Sequence, residues 1–370
     1  MNGLAPENPV HFANALDAGA APYSRVAQRR RHVVRSGAVS DSFWKDKRVL
    51  VTGAGGFIAS HLTEALIARG ARVKALVKYN SRNNWGRLEE LSDEQRRSCE
   101  VVLGDITDPF ALQKCVEGCE WVFHLAALIA VPYSYVSPAS YLEVNARGTL
   151  NLMEACRRAG IRRLIHTSTS EVYGSALEVP IKESHPLQGQ SPYAASKIAA
   201  DKLAESYHRS FDLPVAIARP FNTFGPRQSA RAIIPTIITQ ALTSDSIGVG
   251  AQEPVRDFTY VEDTVRGLLA VGECDAAVGN VIHLGAGSGI GIGDLARRIV
   301  ALVGGAKEIR TDPARLRPKE SEVARLICDA SRARELTGWR PETSLDDGLR
   351  RTIAWIAHHL AEYRIGAYVL

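Results

Sequence analysis

Short apolar runs alternate with helical patterns through the first two thirds of the chain. Runs rich in branched and aromatic residues cover 48–51, 72–77, 100–103, 121–125, 163–166 and 214–218. Between several of them, apolar residues recur at helical spacing, as in Ser60–Arg69 and from about Asn145 to Ala159. Strands and helices in regular alternation predict a parallel sheet covered by helices on both faces. The predicted fold class is therefore α/β, with a doubly wound sheet.

A glycine-rich turn follows the first apolar run at once. Gly53 permits a tight turn, Gly56 lets the backbone approach a pyrophosphate, and the small Ala59 permits close packing of helix on strand. Strand, glycine turn and helix in this order are typical of a Rossmann-type dinucleotide site. We expect the cofactor to contact Gly53, Gly56, Phe57, Ile58, Asn80, Ser81, Asp105, Ile106, Leu125, Ala126, Ala127, Tyr193, Lys197 and Pro220.

The end of the second strand bears on the choice between NAD and NADP. An acidic residue there would bind the adenosine ribose of NAD, but this chain has Lys78, Asn80, Ser81 and Arg82 instead. Lys78 and Arg82 could accommodate a 2′-phosphate, whereas Asn80 or Ser81 could hold a ribose by neutral hydrogen bonds. We predict NAD, with NADP as the open alternative. Asp105, after the third strand, could accept a hydrogen bond from the adenine amino group.

The strongest candidate for chemistry is the turn Thr167–Gly174, which follows a buried strand and ends in glycine. Ligands bind at the carboxyl ends of the strands of a parallel sheet, and this turn supplies hydroxyl groups and one carboxylate there. Downstream, Tyr193 and Lys197 lie four residues apart and so share one helical face. The predicted catalytic residues are Thr169, Ser170, Glu171, Tyr193 and Lys197.

After residue 225 the pattern loosens, and polar and basic residues suggest a smaller C-terminal α/β lobe. Arginine binds a diphosphate well because its guanidinium group makes paired hydrogen bonds. The predicted substrate-binding residues are Asn222, Arg231, Arg256 and Arg317, with Arg315 close to the last of them. We assign 1–44 to a flexible extension, 45–225 mainly to an NAD(P)-binding domain, and 226–370 mainly to a substrate-binding lobe, segments of which can return to the first domain.

Composition excludes several classes of function. Hydrophobic content of 45% and charged content of 23% are those of a globular protein, and no apolar run approaches the roughly 18 residues that span a bilayer. Six Lys/Arg against three Asp/Glu in residues 1–45 account for +3 of the net charge of +5, so that the remainder carries +2 and argues against nucleic acid. The six cysteines lack zinc spacing, and no metal is expected. Without a secretory segment, the predicted location is the cytoplasm.

Three motifs occur together in a specific order: Gly-x-x-Gly-x-x-Ala over 53–59, Ser-Thr-Ser-Glu-Val-Tyr-Gly over 168–174, and Tyr-x-x-x-Lys over 193–197. Together they resemble the extended short-chain dehydrogenase/reductase family, which acts on nucleotide-activated sugars. Residues 79–81 with 84–86, 124–130 and 222–231 are most similar to its UDP-N-acetylglucosamine 4,6-dehydratases of the legionaminic-acid type. The resemblance implies a nucleotide-diphosphate sugar as substrate and a homodimer as the assembly.

The resemblance and the residue types imply one reaction. Tyr193, whose pKa of about 10 would be lowered by Lys197 and the positive nicotinamide, would take the proton of a sugar 4-hydroxyl while hydride leaves C4. Thr169 would hydrogen-bond the same oxygen. The C4 ketone makes the C5 hydrogen acidic, so that Glu171 would remove it and help to expel the C6 hydroxyl as water. Hydride return to C6 would give a 4-keto-6-deoxy sugar.

Ser170 leaves the outcome at C6 open. Dehydratases of the dTDP-glucose type carry an aspartate here as the acid, whereas those of the GDP-mannose type have the same Ser-Thr-Ser-Glu sequence. UDP-glucuronate decarboxylases also share the turn, while C4 epimerases generally lack a carboxylate at the position of Glu171. The prediction is the dehydratase, with decarboxylase and epimerase as alternatives and a non-catalytic NAD(P)-sensing regulator as a remote one.

Overall fold

The computed structural model describes residues 42–363 of the 370-residue chain. The predicted extension lies outside the described residues up to position 41, as do residues 364–370 of the predicted substrate lobe. Within the described part, no helix is both long enough and apolar enough to cross a membrane.

The described residues form thirteen strands and twelve α-helices. The strands are β1 (Arg48–Thr52), β2 (Arg72–Val77), β3 (Cys99–Leu103), β4 (Trp121–His124), β5 (Arg163–Thr167), β6 (Val215–Pro220), β7 (Asn222–Phe224), β8 (Ser246–Val249), β9 (Val255–Tyr260), β10 (Val281–Leu284), β11 (Gly289–Gly291), β12 (Glu308–Thr311) and β13 (Arg325–Leu326). The helices are α1 (Phe57–Ala68), α2 (Asp93–Arg97), α3 (Pro109–Val116), α4 (Val131–Val136), α5 (Pro138–Tyr141), α6 (Gly148–Ala159), α7 (Pro192–Phe211), α8 (Ile233–Thr243), α9 (Val261–Glu273), α10 (Ile292–Val303), α11 (Ser331–Thr337) and α12 (Leu345–His358).

The largest sheet has seven strands in the order β3-β2-β1-β4-β5-β6-β10, and every neighbouring pair is parallel. This arrangement confirms the predicted Rossmann-type α/β fold. The seventh strand comes from beyond residue 225, where Val281 of β10 lies opposite Ile217 of β6. A late segment of the chain therefore completes the sheet of the first domain.

Alternate residues of β1 enter separate hydrophobic cores on the two faces of this sheet. Val49 and Val51 pack in the core that includes α1 and α9. Leu50, between them, packs in the core that includes α3 and α6. Successive side chains of a strand point to opposite faces, so a strand covered on both sides is apolar throughout. With both faces covered, the carboxyl ends of the strands remain the edge at which ligands can bind.

A smaller sheet is built around β9, which pairs in parallel with β7 and β13 and antiparallel with β11. The strands β8 and β12 form a separate parallel pair. Asp257 in β9 is fully buried, and its carboxylate accepts backbone hydrogen bonds from Ala286 at 2.8 Å, Gly287 at 2.8 Å and Cys328 at 3.0 Å. These bonds fix two loops beside the sheet. The domain boundary at residue 225 stays a prediction.

Trp44 belongs to the folded domain, although the predicted boundary places it in the extension. Its side chain is fully buried, with its ring centroid 6.0 Å from that of Trp121 and 5.6 Å from that of Phe123. Its indole N–H donates to the Glu273 carboxylate at 2.6 Å. An aromatic residue of this size gains much from burial, and no strand or helix periodicity marks it in the sequence. The folded region therefore begins before β1.

Candidate active site

The turn after β5 lies at the carboxyl edge of the sheet, between β4 and β6. The segment Ser170–Tyr173 forms one short helical turn, and the Thr169 hydroxyl begins it by accepting a hydrogen bond from the Glu171 N–H at 3.3 Å. Gly174 ends the turn with a φ of 60°, which favours glycine. Ser170 is buried within the turn. The local sequence thus shapes the loop that presents Thr169 and Glu171.

The helix α7 brings Tyr193 to the turn. Ser191 caps this helix by accepting a hydrogen bond from the Ala194 N–H at 3.1 Å, and Pro192 occupies its first position. Tyr193 is buried, and its phenol shares a hydrogen bond with the Thr169 side chain. Lys197 donates to the Thr167 carbonyl oxygen at 2.8 Å, so it is held by the backbone of the turn. Helix and turn therefore bring together the predicted catalytic residues.

Burial controls the pKa of both α7 groups. It raises the pKa of the Tyr193 phenol, and the negative charge of Glu171 raises it further, whereas the hydrogen bond from Thr169 lowers it. It lowers the pKa of Lys197 to about 8, with Asp201 opposing the shift and Arg219 adding to it. Lys197 thus titrates near pH 8, whereas Tyr193 is protonated at neutral pH, because burial outweighs the lowering of the phenol pKa that was expected from Lys197.

Two predicted substrate-binding arginines converge on Glu171. Arg317 places its Nη1 3.7 Å from Glu171 Oε2. Arg256 is buried, donates to the Val323 carbonyl oxygen at 2.7 Å, and pairs with Glu322 at 3.1 Å. Burial alone would lower the pKa of Arg317, but Glu171 and Glu322 raise it. Two positive and two negative side chains therefore form one cluster next to the catalytic turn.

The other predicted substrate residues lie differently. Asn222 donates through its side-chain amide to the Asp257 carbonyl oxygen at 3.3 Å, so it is tied to β9. Arg231 is exposed, and its charge acts on the phenol of Tyr141, whose ring packs edge-on against Tyr193 with centroids 6.1 Å apart. Arg315 pairs with Asp312 at 3.0 Å. Arg231 is thus linked to the catalytic edge through Tyr141.

The glycine turn leaves bare backbone at the end of β1. Gly53 has a φ of 70°, and a Cβ there would lie 2.8 Å from the Ala126 Cα. The N–H groups of Leu125 and Ala126 donate to the Thr52 hydroxyl at 3.2 Å each, so this loop lies against the turn. The first residues of α1, Phe57 and Ile58, follow Gly56, and no side chain caps that helix. These features suit a ligand with phosphate groups.

The predicted cofactor-binding residues in the loops after β2 and β3 form hydrogen bonds and an ion pair with nearby loop residues. Asn80 uses both polar atoms of its side chain within its own loop, donating to the Asn84 carbonyl oxygen at 2.8 Å and accepting from the Arg82 N–H at 2.9 Å. Asp105 accepts from the Thr107 N–H at 3.0 Å and pairs with Lys78 at 3.0 Å. Lys78 is therefore already engaged by an acid.

The remaining predicted cofactor residues occupy the same strand ends. Pro220 closes β6, and Ile106 is buried under Gly148, where a Cβ would lie 2.7 Å from the Ile106 side chain. Ala127 is partly buried after β4, and Ser81 is exposed. The structure gives neither of them a distinctive contact.

Sequence reasoning missed a buried polar network beneath the turn. Asp201, one helical turn after Lys197, pairs with Arg219 at 2.6 Å and accepts from the Ser168 hydroxyl at 2.7 Å. The spacing of Tyr193, Lys197 and Asp201 by four residues each was the available signal. His124 is fully buried, and both its ring nitrogens are hydrogen-bonded.

Comparisons with known proteins agree on one group. A family model described as GDP-mannose 4,6 dehydratase matches residues 50–352. A UDP-glucose 4-epimerase of Mycolicibacterium smegmatis is 36% identical over 315 residues, which cover 83% of this chain and 97% of that protein. A dTDP-glucose 4,6-dehydratase of an Actinoplanes species is 34% identical over 320 residues, which cover 83% of this chain and 97% of that protein. DesIV, a dTDP-glucose 4,6-dehydratase from Streptomyces venezuelae solved with NAD and TYD bound, matches with a TM-score of 0.79 and 30% identity, over 86% of this chain and 99% of that one.

The lowered pKa of Lys197 predicts how stability depends on pH. Because the folded protein binds this proton more weakly than the unfolded chain, protonated Lys197 destabilises the fold below a pH of about 8. The destabilisation fades as pH rises toward the unfolded pKa of about 10.4. In Lys197→Met this pH dependence is absent. Urea unfolding should show the stability difference moving in favour of wild type by about 2–3 kcal/mol between roughly pH 7 and pH 10.

Lys202 on the same helix supplies the control. Its side chain is 57% exposed and pairs with Glu205 at 2.9 Å. The variant Lys202→Met should follow the wild-type pH dependence within about 0.5 kcal/mol. A pH-independent difference between wild type and Lys197→Met would contradict the assignment.

Proposed function

This chain belongs to the GDP-mannose 4,6-dehydratase family of extended short-chain dehydrogenases/reductases, and on that premise we propose that it is an NAD-dependent nucleotide-sugar 4,6-dehydratase. The proposed substrate is UDP-N-acetylglucosamine or a similar nucleotide-diphosphate sugar, and the product is its 4-keto-6-deoxy form. The observation that carries the proposal is the position of Glu171, a carboxylate on the turn that also presents Thr169 to Tyr193.

NAD fits the glycine turn. Backbone approaches backbone there so closely that a Cβ at Gly53 would lie 2.8 Å from the Ala126 Cα, and the uncapped start of α1 offers N–H groups to a pyrophosphate. Gly53, Gly56 and Ala126 would hold the cofactor together with Lys197. When bound, NAD supplies the hydride acceptor for C4 and the hydride donor for C6. The Lys78–Asp105 pair supports NAD over NADP, since it offsets the charge that a 2′-phosphate would need.

The chain's own residues divide the proton transfers. As a phenolate, which the positive charges of Lys197 and of a bound nicotinamide would favour, Tyr193 takes the proton of the sugar 4-hydroxyl, while Thr169 hydrogen-bonds the same oxygen. Glu171 removes the C5 proton of the 4-ketone and returns a proton to the departing C6 hydroxyl, so that one water leaves and the carboxylate is restored. Hydride return to C6 then requires one proton at C5, which balances the proton that Tyr193 took from the 4-hydroxyl. Ser170 is too weak an acid to protonate the leaving group. Glu171 therefore acts as base and acid in turn.

The arginines support a diphosphate substrate. Among the described residues, the buried Nη1 of Arg317 makes no hydrogen bond and only a long ion pair with Glu171 at 3.7 Å, and Arg256 lies in the same cluster of charges. Arg317 can therefore donate to a phosphate oxygen without giving up a short hydrogen bond from this nitrogen. We further propose, from the resemblance, that the enzyme is a cytoplasmic homodimer of the legionaminic-acid type.

A decarboxylase is the second candidate, because Arg317 next to Glu171 could also hold a substrate carboxylate. Incubation with UDP-N-acetylglucosamine and with UDP-glucuronate, followed by mass analysis, separates the two. Loss of one water from the first supports the dehydratase. Carbon dioxide release from UDP-glucuronate, with UDP-N-acetylglucosamine unchanged, contradicts it. Interconversion of C4 epimers without loss of mass would identify an epimerase instead.

Glu171→Gln should oxidise C4 but not eliminate water. Because the amide cannot remove the C5 proton, reduced cofactor should accumulate by absorbance, and product formation should fall at least about 100-fold. The control is Glu178→Gln, an exposed residue a short distance along the same loop, which should keep wild-type turnover. Normal turnover by Glu171→Gln would remove Glu171 from the mechanism.

Gly53→Ala should weaken NAD binding at least about tenfold, because the methyl group would collide with the Ala126 backbone. Isothermal titration calorimetry measures the affinity. Gly118→Ala is the matched control: its φ of 75° imposes the same backbone strain, but a Cβ there meets no atom within 4 Å. Equal losses of affinity in both variants would show that strain, rather than collision, is responsible.

A further inference from the structure

Asp201 lies under the candidate active site and is fully buried. Its carboxylate accepts the Ser168 hydroxyl at 2.7 Å and an Arg219 N–H at 2.6 Å, and it lies 3.2 Å from His166 Nε2. Burial alone would raise its pKa, but Arg219, His166 and Lys197 together lower it. A buried carboxylate with this many partners remains charged.

Arg219 connects this carboxylate to both ends of the catalytic turn. Its Nε donates to the Ser168 hydroxyl at 3.2 Å, and its Nη1 donates to the Tyr173 hydroxyl. Tyr173 is in turn 2.5 Å from His283 Nε2. The residues that would contact substrate, Thr169 and Glu171, lie between these two anchored positions.

The same carboxylate faces Lys197. Four groups surround the lysine: Asp201 on its own helix, His166 on β5, Arg219 on β6 and His124 on β4. Burial lowers the pKa of both histidines, which are therefore neutral. Of the two remaining charges, only that of Asp201 favours protonated Lys197.

We propose that Asp201 is a positioning residue: with Arg219 it holds the turn bearing Thr169 and Glu171 against the helix bearing Tyr193 and Lys197, and it places a negative charge on the helical face that carries Lys197. The proposal rests on the proposed function, since it assigns those four residues to the reaction. Because Asp201 is fully buried, it acts through these residues and not on the substrate itself. Small displacements of reacting groups lower the rate far more than they lower affinity, so replacing Asp201 should lower kcat and change KM little.

Kinetics of single and double variants separate positioning from stability. Asp201→Asn and Arg219→Met should each lower kcat at least about 100-fold and change KM less than about threefold. Combining them removes both buried charges, so stability to urea should recover relative to the single variants while kcat stays low. Recovery of kcat together with stability would overturn the proposal. Asp275→Asn is the control, because it breaks the Arg163 pair at the opposite end of β5 and should keep wild-type kcat.

A second measurement does not depend on activity. Competitive acylation of lysines across a range of pH, read by mass spectrometry, gives the pKa of Lys197. Asp201→Asn should lower it from about 8 to about 7 or below, so that the neutral fraction near pH 7 rises from roughly a tenth to about half, and Asp201→Glu should restore it. An unchanged pKa in Asp201→Asn would overturn the charge role, even if no sugar nucleotide proves to be a substrate.

Ser168→Ala covers the case in which Asp201→Asn does not fold. It removes the hydroxyl that bridges Asp201 and Arg219 but leaves both charges in place. The expected result is a fall in kcat of at least about tenfold with the pKa of Lys197 unchanged. Wild-type kcat in this variant would overturn the positioning role.

Discussion

The candidate active site depends on one buried ion pair, between Asp201 of α7 and Arg219 of β6. Removing two charges from water is unfavourable unless nearly every hydrogen-bonding group is satisfied. Here Ser168, His166 and Tyr173 supply the additional bonds. The pair therefore joins a helix, a strand and the turn after β5.

The charges on the substrate side are satisfied less completely. Arg256 has backbone and carboxylate partners, but Arg317 has a buried Nη1 without a hydrogen bond and lies 3.7 Å from Glu171. A guanidinium group with an unused donor suits a surface that binds an anion, because a phosphate oxygen can accept the missing hydrogen bond. The ion pair that anchors the predicted catalytic turn is thus well supplied with hydrogen bonds, whereas the predicted substrate-binding residue Arg317 keeps unused hydrogen-bonding capacity.

Local signals predicted the fold and most of the catalytic edge. The seven-stranded sheet could be predicted because apolar runs alternate with helical patterns, and each apolar run indicates a buried strand. Gly53 and Gly174 were visible because a positive φ restricts residue type. Trp44 and β10 were harder to assign. Trp44 precedes every segment with strand or helix periodicity. The position of β10 in the sheet depends on which edge strand is free to pair with it.

The sequence by itself determined the doubly wound sheet, the glycine turn, and the helical spacing that puts Tyr193 and Lys197 on one face. All of these depend on residues close together along the chain. Only the tertiary structure brought Arg219 to Asp201, Arg317 to Glu171, and Lys78 to Asp105. Such contacts join residues that are far apart along the chain, and the partners they provide shift the pKa values of Asp201, Arg317 and Asp105 against the effect of burial. Neither strand order nor burial is fixed by local periodicity, so the charge state of the site could be known only from the fold.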